Sequence, residues 1–159
     1  QESCGDEGGS TQQVFTQIAV DILADAGETG NVFVAYDEKD LQKKGQHRIN
    51  AYAISDNYET VDLFISVFNQ VETIQSVSKL EIDRATTQIT NFYRKAVESN
   101  YVDKIEESSE IFEFADTLAN YQELKENLDR VNVLILTNCE YKGDFPQVKR
   151  LAVQLCITE

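Results

Sequence analysis

Residues 48–54 and 61–69 are predicted to form two neighbouring strands joined by a short turn. Such a pair of strands is a candidate position for hydrolytic chemistry. Metal-assisted cleavage of a phosphodiester needs carboxylates on such strands and a group that activates water. The two stretches hold one acid, Asp62, together with the neutral Asn50 and Ser66. They offer no convincing ligand set, so individual side chains must decide between binding and catalysis.

The densest cationic group lies just before the first of these strands and consists of Lys43, Lys44, His47 and Arg48. These side chains could touch phosphate or an acidic partner. No aromatic residue is interleaved with them, which favours a solvated loop. His47 is the only histidine, and because no nucleophile motif stands beside it we expect it at the surface.

Cysteine and glycine spacing indicates no further chemistry. The three cysteines are widely spaced and form no Cys-x-x-Cys pair with His47, which argues against a zinc site. Cys139 and Cys156 are expected as small buried groups or at strand ends, and Cys4 in a polar tail. The early glycines precede no strand-to-helix turn followed by lysine, so no phosphate-binding loop is predicted.

The charge of the chain argues against general affinity for nucleic acid. The sequence has 28 Asp and Glu against 14 Lys and Arg, a net charge of −14, which repels phosphate and anionic membranes. A length of 159 residues with 42% hydrophobic content predicts one sizeable core. There is neither an apolar run long enough for a membrane span nor a signal peptide, so we expect a cytoplasmic protein.

The organisation of the chain follows from its glycines and its apolar spacing. No methionine occurs, not even at position 1, so we expect a piece of a longer protein. Residues 1–10 lack apolar periodicity and are predicted to be a disordered tail, and residues 11–159 to be a single α/β domain.

The amino-terminal half predicts one helix and three strands. A helix is predicted from Thr11 and is closed by Gly27, and its inward face consists of Val14, Phe15, Ile18, Ala19, Ile22 and Leu23. Strands follow over 31–36, 48–54 and 61–69, with a loop over 37–46. Alternation places Ile49, Ala51 and Ala53 on one core face.

The carboxy-terminal half predicts helices and two strands. Ser78 and Glu81 form a capping box for a helix with an apolar face to Ala96, and one or two helices follow between Ile105 and Leu128. Residues 131–137 suit a strand buried on both faces, residues 151–157 a last strand, and Pro146 a loop between them. The order predicts a mixed sheet flanked by helices.

A resemblance to a bacterial family rests on four stretches, residues 45–69, 91–93, 105–109 and 134–138. They resemble the amino-terminal region of AIPR proteins, the abortive-infection phage-resistance family, over about Val14 to Asn138. The resemblance implies an anti-phage defence protein. It also implies a restriction-endonuclease-like fold, with an αβββαβ core.

In that fold one core strand ends in an acid that holds Mg²⁺, and the next strand supplies an acid-or-Gln, any residue, Lys triplet. Asn50 stands in the place of the acid, and Ser66 and Phe68 stand in the acid-or-Gln and lysine places. An amide lacks the charge of a strong Mg²⁺ ligand, and a phenyl ring cannot orient water. The resemblance therefore implies a degenerate site without metal or cofactor. The alternative is an active Mg²⁺-dependent nuclease whose ligand set has migrated to Glu28, Asp62 or Glu72.

The alternative acids also have simpler interpretations. Asp62 lies between Val61 and Leu63, and alternation gives it a solvated or hairpin position. Asp25 and Glu28 lie near the end of the first helix, where acids usually face water.

Acids dominate the segment from Glu98 to Asp129, where ten of them accompany two lysines. Such a surface could mimic nucleic acid or bind a basic partner, and it could equally be a solvated helix face. The aromatic residues in this segment cannot share one helical face, so one or two should be exposed, among Tyr101, Phe112, Phe114 and Tyr121.

We predict a non-catalytic, nuclease-derived module of a bacterial anti-phage protein that acts through protein contacts. Its partner would be another protein or a carboxy-terminal domain of the same protein. A dimerising scaffold is a third interpretation.

Overall fold

The computed structural model describes residues 3–39, 44–69, 76–139 and 152–156, with side chains from Thr11 to Cys139 within those ranges. Lys43, Glu72 and Pro146 lie outside the described residues. The division of the chain into a tail and a single domain stays a prediction.

Helices and strands follow each other largely as predicted. The helices are α1 (Ser3–Asp25), α2 (Lys79–Glu98), α3 (Phe112–Asn120) and α4 (Gln122–Asn127), and a 3-10 helix spans Tyr101–Lys104. The strands are β1 (Phe33–Lys39), β2 (His47–Ile54), β3 (Thr60–Val67), β4 (Arg130–Thr137) and β5 (Ala152–Cys156).

The five strands form one mixed sheet in the order β1-β2-β3-β4-β5. The first three strands pair antiparallel, whereas β4 runs parallel to both β3 and β5. The segment from α2 to α4 supplies the long crossover that a parallel pair needs. The α/β class and the mixed sheet flanked by helices are confirmed. β5 is the predicted last strand and lies outside the four strands of the αβββαβ core, whose restriction-endonuclease-like identity stays a prediction.

Helices cover both faces of the sheet. α2 and α3 cover one face, and its core includes Ile65, Phe92 and Phe114. α1 covers the other face, where Phe15 and Leu23 are among the residues that pack with strand residues such as Phe64 and Leu136. Burial on both sides explains why residues 133–137 of β4 are all buried.

α1 begins at Ser3, eight residues before the predicted start, and it is closed as predicted by Gly27 at a φ of 74°. The predicted inward face is half wrong, because Phe15, Ala19 and Leu23 are buried together with Thr16 and Val20. Three residues of that face stay exposed: Val14 at 57%, Ile18 at 52% and Ile22 at 43%. The helix is rotated because its polar side chains Gln12 and Thr16 contact the sheet.

α2 matches its prediction closely. Ser78 and Glu81 form the capping box, and the buried face includes Ile82, Ile89 and Phe92. Of the aromatic residues in the acidic segment, Tyr101 and Phe114 are buried, whereas Tyr121 is 40% exposed as the helical geometry predicted.

β1 and β2 depart from the predicted pattern. β1 continues to Lys39 through residues assigned to a loop, and its pairing with β2 shifts register between Val34 and Asp37. Ile49 packs on the α2 side of the sheet, whereas Ala51 packs on the α1 side. The predicted single face for these residues is wrong because an irregularity of this kind interrupts alternation.

A search of the described helices found none with both the length and the apolar character that a membrane span requires.

Candidate functional site

The positions at which the resemblance expects metal ligands, Asn50 and Ser66, lie at an opening between β2 and β3. The ladder between these strands ends at Ala51 and Phe64. Beyond this point, the side chains of Asn50 and Arg48 on β2 make the hydrogen bonds to β3 that the backbone of β2 would make in a continued ladder. The Ser66 N–H donates to Asn50 Oδ1 at 2.9 Å, and Arg48 Nη1 donates to the Ser66 carbonyl at 2.7 Å.

Asn50 uses its full hydrogen-bonding capacity in this opening. Its Oδ1 accepts from Arg48 Nη1 as well as from Ser66, and its Nδ2 donates to Gln12 Oε1 at 2.7 Å and Gln13 Oε1 at 3.0 Å. A side-chain amide has two acceptor sites and two donor hydrogens, and all four are engaged. Because both lone pairs of Oδ1 already accept hydrogen bonds, this oxygen is not suited to bind Mg²⁺.

Ser66 and Phe68 are also engaged by α1. Ser66 Oγ lies 2.6 Å from Thr16 Oγ1, and Thr16 donates its own hydrogen to the Gln12 carbonyl. Ser66 is therefore the donor of the shorter bond. Phe68 stacks on Phe15, with ring centroids 4.8 Å apart. The Mg²⁺ site of the family's expected fold therefore does not fit the side chains present.

Arg48 contributes a positive charge and several hydrogen bonds to this polar group. Its Nη1 also donates to Gln12 Oε1 at 3.1 Å, and its Nε lies 3.7 Å from the Glu38 carboxylate. Burial lowers the pKa of Arg48. We call Gln12, Gln13, Thr16, Arg48, Asn50 and Ser66 the α1 polar cluster. It fixes helix α1 over the opening and closes it.

The acids of the alternative ligand set behave differently from one another. Glu28 is exposed. A solvated or hairpin position was predicted for Asp62, and the structure shows it half-buried. Asn132 on the neighbouring strand donates to its Oδ1 at 2.8 Å. Burial raises the pKa of Asp62. Within the described ranges, no three His, Cys, Asp or Glu side chains form a group that could hold a metal ion.

Two residues of the predicted cationic loop, His47 and Arg48, lie in strand β2. Lys44 is exposed, but His47 is fully buried and Arg48 nearly so. The predicted surface position of His47 is therefore wrong. A local pattern of charges could not show that β2 begins at His47 and passes beneath α2.

His47 belongs to a second polar group on the α2 side of the sheet. Its Nε2 lies 2.7 Å from Asp37 Oδ2, which also accepts from the Tyr101 hydroxyl at 2.8 Å, and Lys95 Nζ lies 2.9 Å from His47 Nδ1. Because an ammonium only donates, Nδ1 accepts and the hydrogen sits on Nε2. Both ring nitrogens are engaged by protein groups, so this group ties α2 and the 3-10 helix to the sheet.

Sequence reasoning missed the helical half of the α1 polar cluster. Gln12 and Thr16 are four residues apart, and Thr16 and Ala19 lie on the stripe that also holds Phe15. Polar residues on an otherwise apolar stripe were the available signal. Their partners, Asn50 and Ser66, are more than 30 residues away along the chain, so local patterns could not reveal them.

The chain is thus a mixed-sheet α/β domain in which a closed polar cluster lies between α1 and strands β2 and β3. The family model of the abortive infection phage resistance protein N-terminal domain matches residues 15–154. The chain belongs to this family, which connects it to abortive infection phage resistance. No curated protein and no solved structure matches the chain.

Proposed function

We propose that this chain is a non-catalytic module, derived from a restriction-endonuclease-like fold, that serves phage defence through protein contacts. The observation that supports the absence of catalysis is the saturated hydrogen bonding of Asn50 at the ligand position. Phe68 in the lysine place, stacked on Phe15, has no group that could activate water.

The contact surface that we propose is the outer face of α1. Val14, Ile18 and Ile22 are spaced four residues apart and form an exposed apolar ridge, which we call the α1 ridge. The helix that presents it has four acids and neither lysine nor arginine. A partner with an apolar docking face rimmed by basic residues would complement both features.

The exposure of the α1 ridge has a specific cause in the packing of α1. α1 buries the polar Thr16 and leaves the larger Ile18 exposed, because Thr16 bonds to Ser66. Burial of Ile18 would gain about 2 kcal/mol of transfer free energy. The α1 polar cluster therefore fixes the rotation of the helix that exposes the ridge.

The first experiment tests catalysis. The intact chain is incubated with DNA and with RNA in the presence of Mg²⁺ or Mn²⁺, and cleavage is followed on gels. We expect none. Cleavage that is lost in Asp62→Ala or Glu28→Ala would establish the nuclease with migrated ligands and refute this proposal.

The second experiment tests the ridge in phage defence. The gene that encodes the chain is expressed in a phage-sensitive bacterium, and plating efficiency of the phage is compared among variants. Joint replacement of Val14, Ile18 and Ile22 by Gln should abolish protection. The free energy of unfolding of this triple variant should stay within about 0.5 kcal/mol of that of the parent chain, because the three residues are exposed.

The matched control replaces exposed apolar residues elsewhere. Leu80→Gln and Val97→Gln, at residues that are 66% and 40% exposed on α2, should leave protection unchanged. Full protection by the ridge variant would contradict a role for the ridge. Loss of protection in Glu28→Gln, with the ridge intact, would point back to the nuclease.

A further inference from the structure

A cavity of about 470 Å³ lies at the tip of the β2–β3 hairpin, away from the α1 polar cluster. It is lined by Ile54, Ser55, Asp56, Tyr58, Thr117 and Tyr121. The hairpin supplies the first four residues and the end of α3 supplies the others. The hairpin turn and the α3–α4 junction thus build one concave site.

Two tyrosines form the aromatic wall of this cavity. The rings of Tyr58 and Tyr121 have centroids 5.1 Å apart, tilted by 54°. The Tyr121 hydroxyl donates to Glu123 Oε2 at 3.0 Å. Hydrogen bonds with Tyr58 and with Glu123 raise the pKa of Tyr121, so its phenol stays neutral. The faces of both aromatic rings are electron-rich.

The backbone of Tyr58 is in an unusual conformation. Its φ is 59°, in the left-handed region that a bulky aromatic residue rarely adopts. The turn holds it there, because the Tyr58 N–H donates to the Ser55 carbonyl at 2.9 Å and Asn57 Oδ1 accepts from Ser55 Oγ and the Glu59 N–H. Backbone strain of this kind is concentrated at binding sites. Here the left-handed conformation of Tyr58 places its ring against the ring of Tyr121.

The charge of the site selects one ligand class. Asp56 lines the cavity, Glu123 holds Tyr121, and none of the described lining residues is cationic. Aromatic faces beside a carboxylate attract organic cations, whereas a net charge of −14 repels phosphate esters.

We infer that this cavity binds the cationic side chain of an arginine or lysine presented by a protein partner. The guanidinium should bind more tightly than the ammonium, because it is planar and stacks on aromatic rings. This site is separate from the α1 ridge and does not depend on the proposed function.

The test titrates N-acetyl-arginine amide into the ¹⁵N-labelled intact chain and follows amide resonances by NMR. Saturable shifts are expected for the amides of Ser55, Asp56, Tyr58 and Thr117. N-acetyl-lysine amide should shift the same resonances with weaker affinity. N-acetyl-citrulline amide has the same shape without the charge and should give no saturable shift.

Three variants locate the binding. Tyr121→Ala should weaken the affinity for the arginine probe about tenfold through loss of the cation–π contact, whereas Tyr121→Phe should stay within about twofold. Asp56→Asn should weaken it about threefold, as for a solvent-exposed ion pair. The control Asp103→Asn, an exposed acid outside the cavity, should change nothing.

The inference is overturned if the arginine probe does not saturate, if the citrulline probe binds equally well, or if Asp56→Asn and Asp103→Asn behave alike. Since Tyr121→Phe and Asp56→Asn change few contacts, they remain informative even where Tyr121→Ala fails to fold.

Discussion

Single side chains decide the chemistry of this domain. Asn50 differs from an aspartate by one amide nitrogen, and that nitrogen donates to Gln12 and Gln13 while the oxygen serves Arg48 and Ser66. An acid at this position could accept hydrogen bonds but could not donate to two glutamine oxygens. The side-chain amide at the position where the resemblance expects a metal-binding acid is therefore the group that binds α1 to the sheet.

Restoring the acid at position 50 should harm the fold without creating a metal site. We expect Asn50→Asp to lose about 2 kcal/mol of stability, because the part-buried oxygens of Gln12 and Gln13 lose the hydrogen bonds that the Asn50 amide donates. Urea denaturation measures the loss, and Asn50→Ala provides the comparison. A rise in the melting temperature of Asn50→Asp on addition of Mg²⁺, absent from the parent chain, would show that the opening still accepts a cation.

Asp62 should make stability depend on pH. Its pKa is raised from 3.8 by burial, so the folded state binds the proton more tightly than the unfolded state. The stability from this group is present below pH 3.8 and is lost as pH rises through the folded-state pKa. Asn132 Oδ1 is buried without a hydrogen-bond partner in the described structure, and a protonated carboxyl or an amide at position 62 could donate to it.

Asp62→Asn should therefore stabilise the chain by about 1 kcal/mol at pH 7, with little or no gain near pH 3. Urea denaturation at the two pH values measures this difference. Glu107→Gln, at an exposed acid, is the control and should be neutral at both. A stabilisation that is equal at both pH values would rule out the ionisation of Asp62 as its cause.

Helix α1 has two different faces. Its inner face holds Phe15, Thr16 and Leu23 against the sheet, and its outer face holds the α1 ridge. The apolar residues of α1 form a band that is wider than its contact with the sheet. Both the predicted and the observed rotation of the helix would therefore bury apolar side chains. Bonds from Gln12 and Thr16 to the opening select the observed rotation.

Neighbouring residues on α1 should therefore differ sharply in their contribution to stability. Phe15→Ala should cost about 3 kcal/mol, because it leaves a cavity and removes the stack on Phe68. Val14→Ala, one residue earlier on the exposed face, should cost no more than about 0.5 kcal/mol. Denaturant midpoints of the two variants test this, and similar losses would mean that the rotation of α1 is not as described.

At the scale of the molecule, net charge opposes compaction. A chain of 159 residues with a charge of −14 repels itself, and salt shortens the range of that repulsion. The same field would favour the basic partners that we propose for the α1 ridge and for the hairpin cavity. It also explains why general nucleic-acid affinity is not expected.

The melting temperature should rise by several degrees between low and physiological concentrations of NaCl. The increase should be the same for NaCl and MgCl₂ at matched ionic strength, because screening depends on ionic strength and a specific site does not. Calorimetry or dye-based melting measures it. A distinctly larger effect of MgCl₂ would reveal a specific divalent site and contradict the closed opening.

The sequence by itself determined the elements and the family. Capping at Ser78, closure at Gly27 and the apolar run of β4 depend on neighbours within a few residues, so local patterns were sufficient. The resemblance to the family, together with the chemistry of metal binding, predicted that Asn50, Ser66 and Phe68 are a poor set of ligands. Local patterns could not give the rotation of α1 or the burial of His47, because those depend on contacts across the sheet.

Only the tertiary structure decided what the poor ligands do instead. It places Gln12 and Gln13 against Asn50 across more than 35 residues of chain, and Asp37 and Lys95 on the two nitrogens of His47. Buried polar groups must find hydrogen-bond partners, and the sequence does not state which partners the fold will bring to them. That requirement brings helix α1 to the opening between β2 and β3.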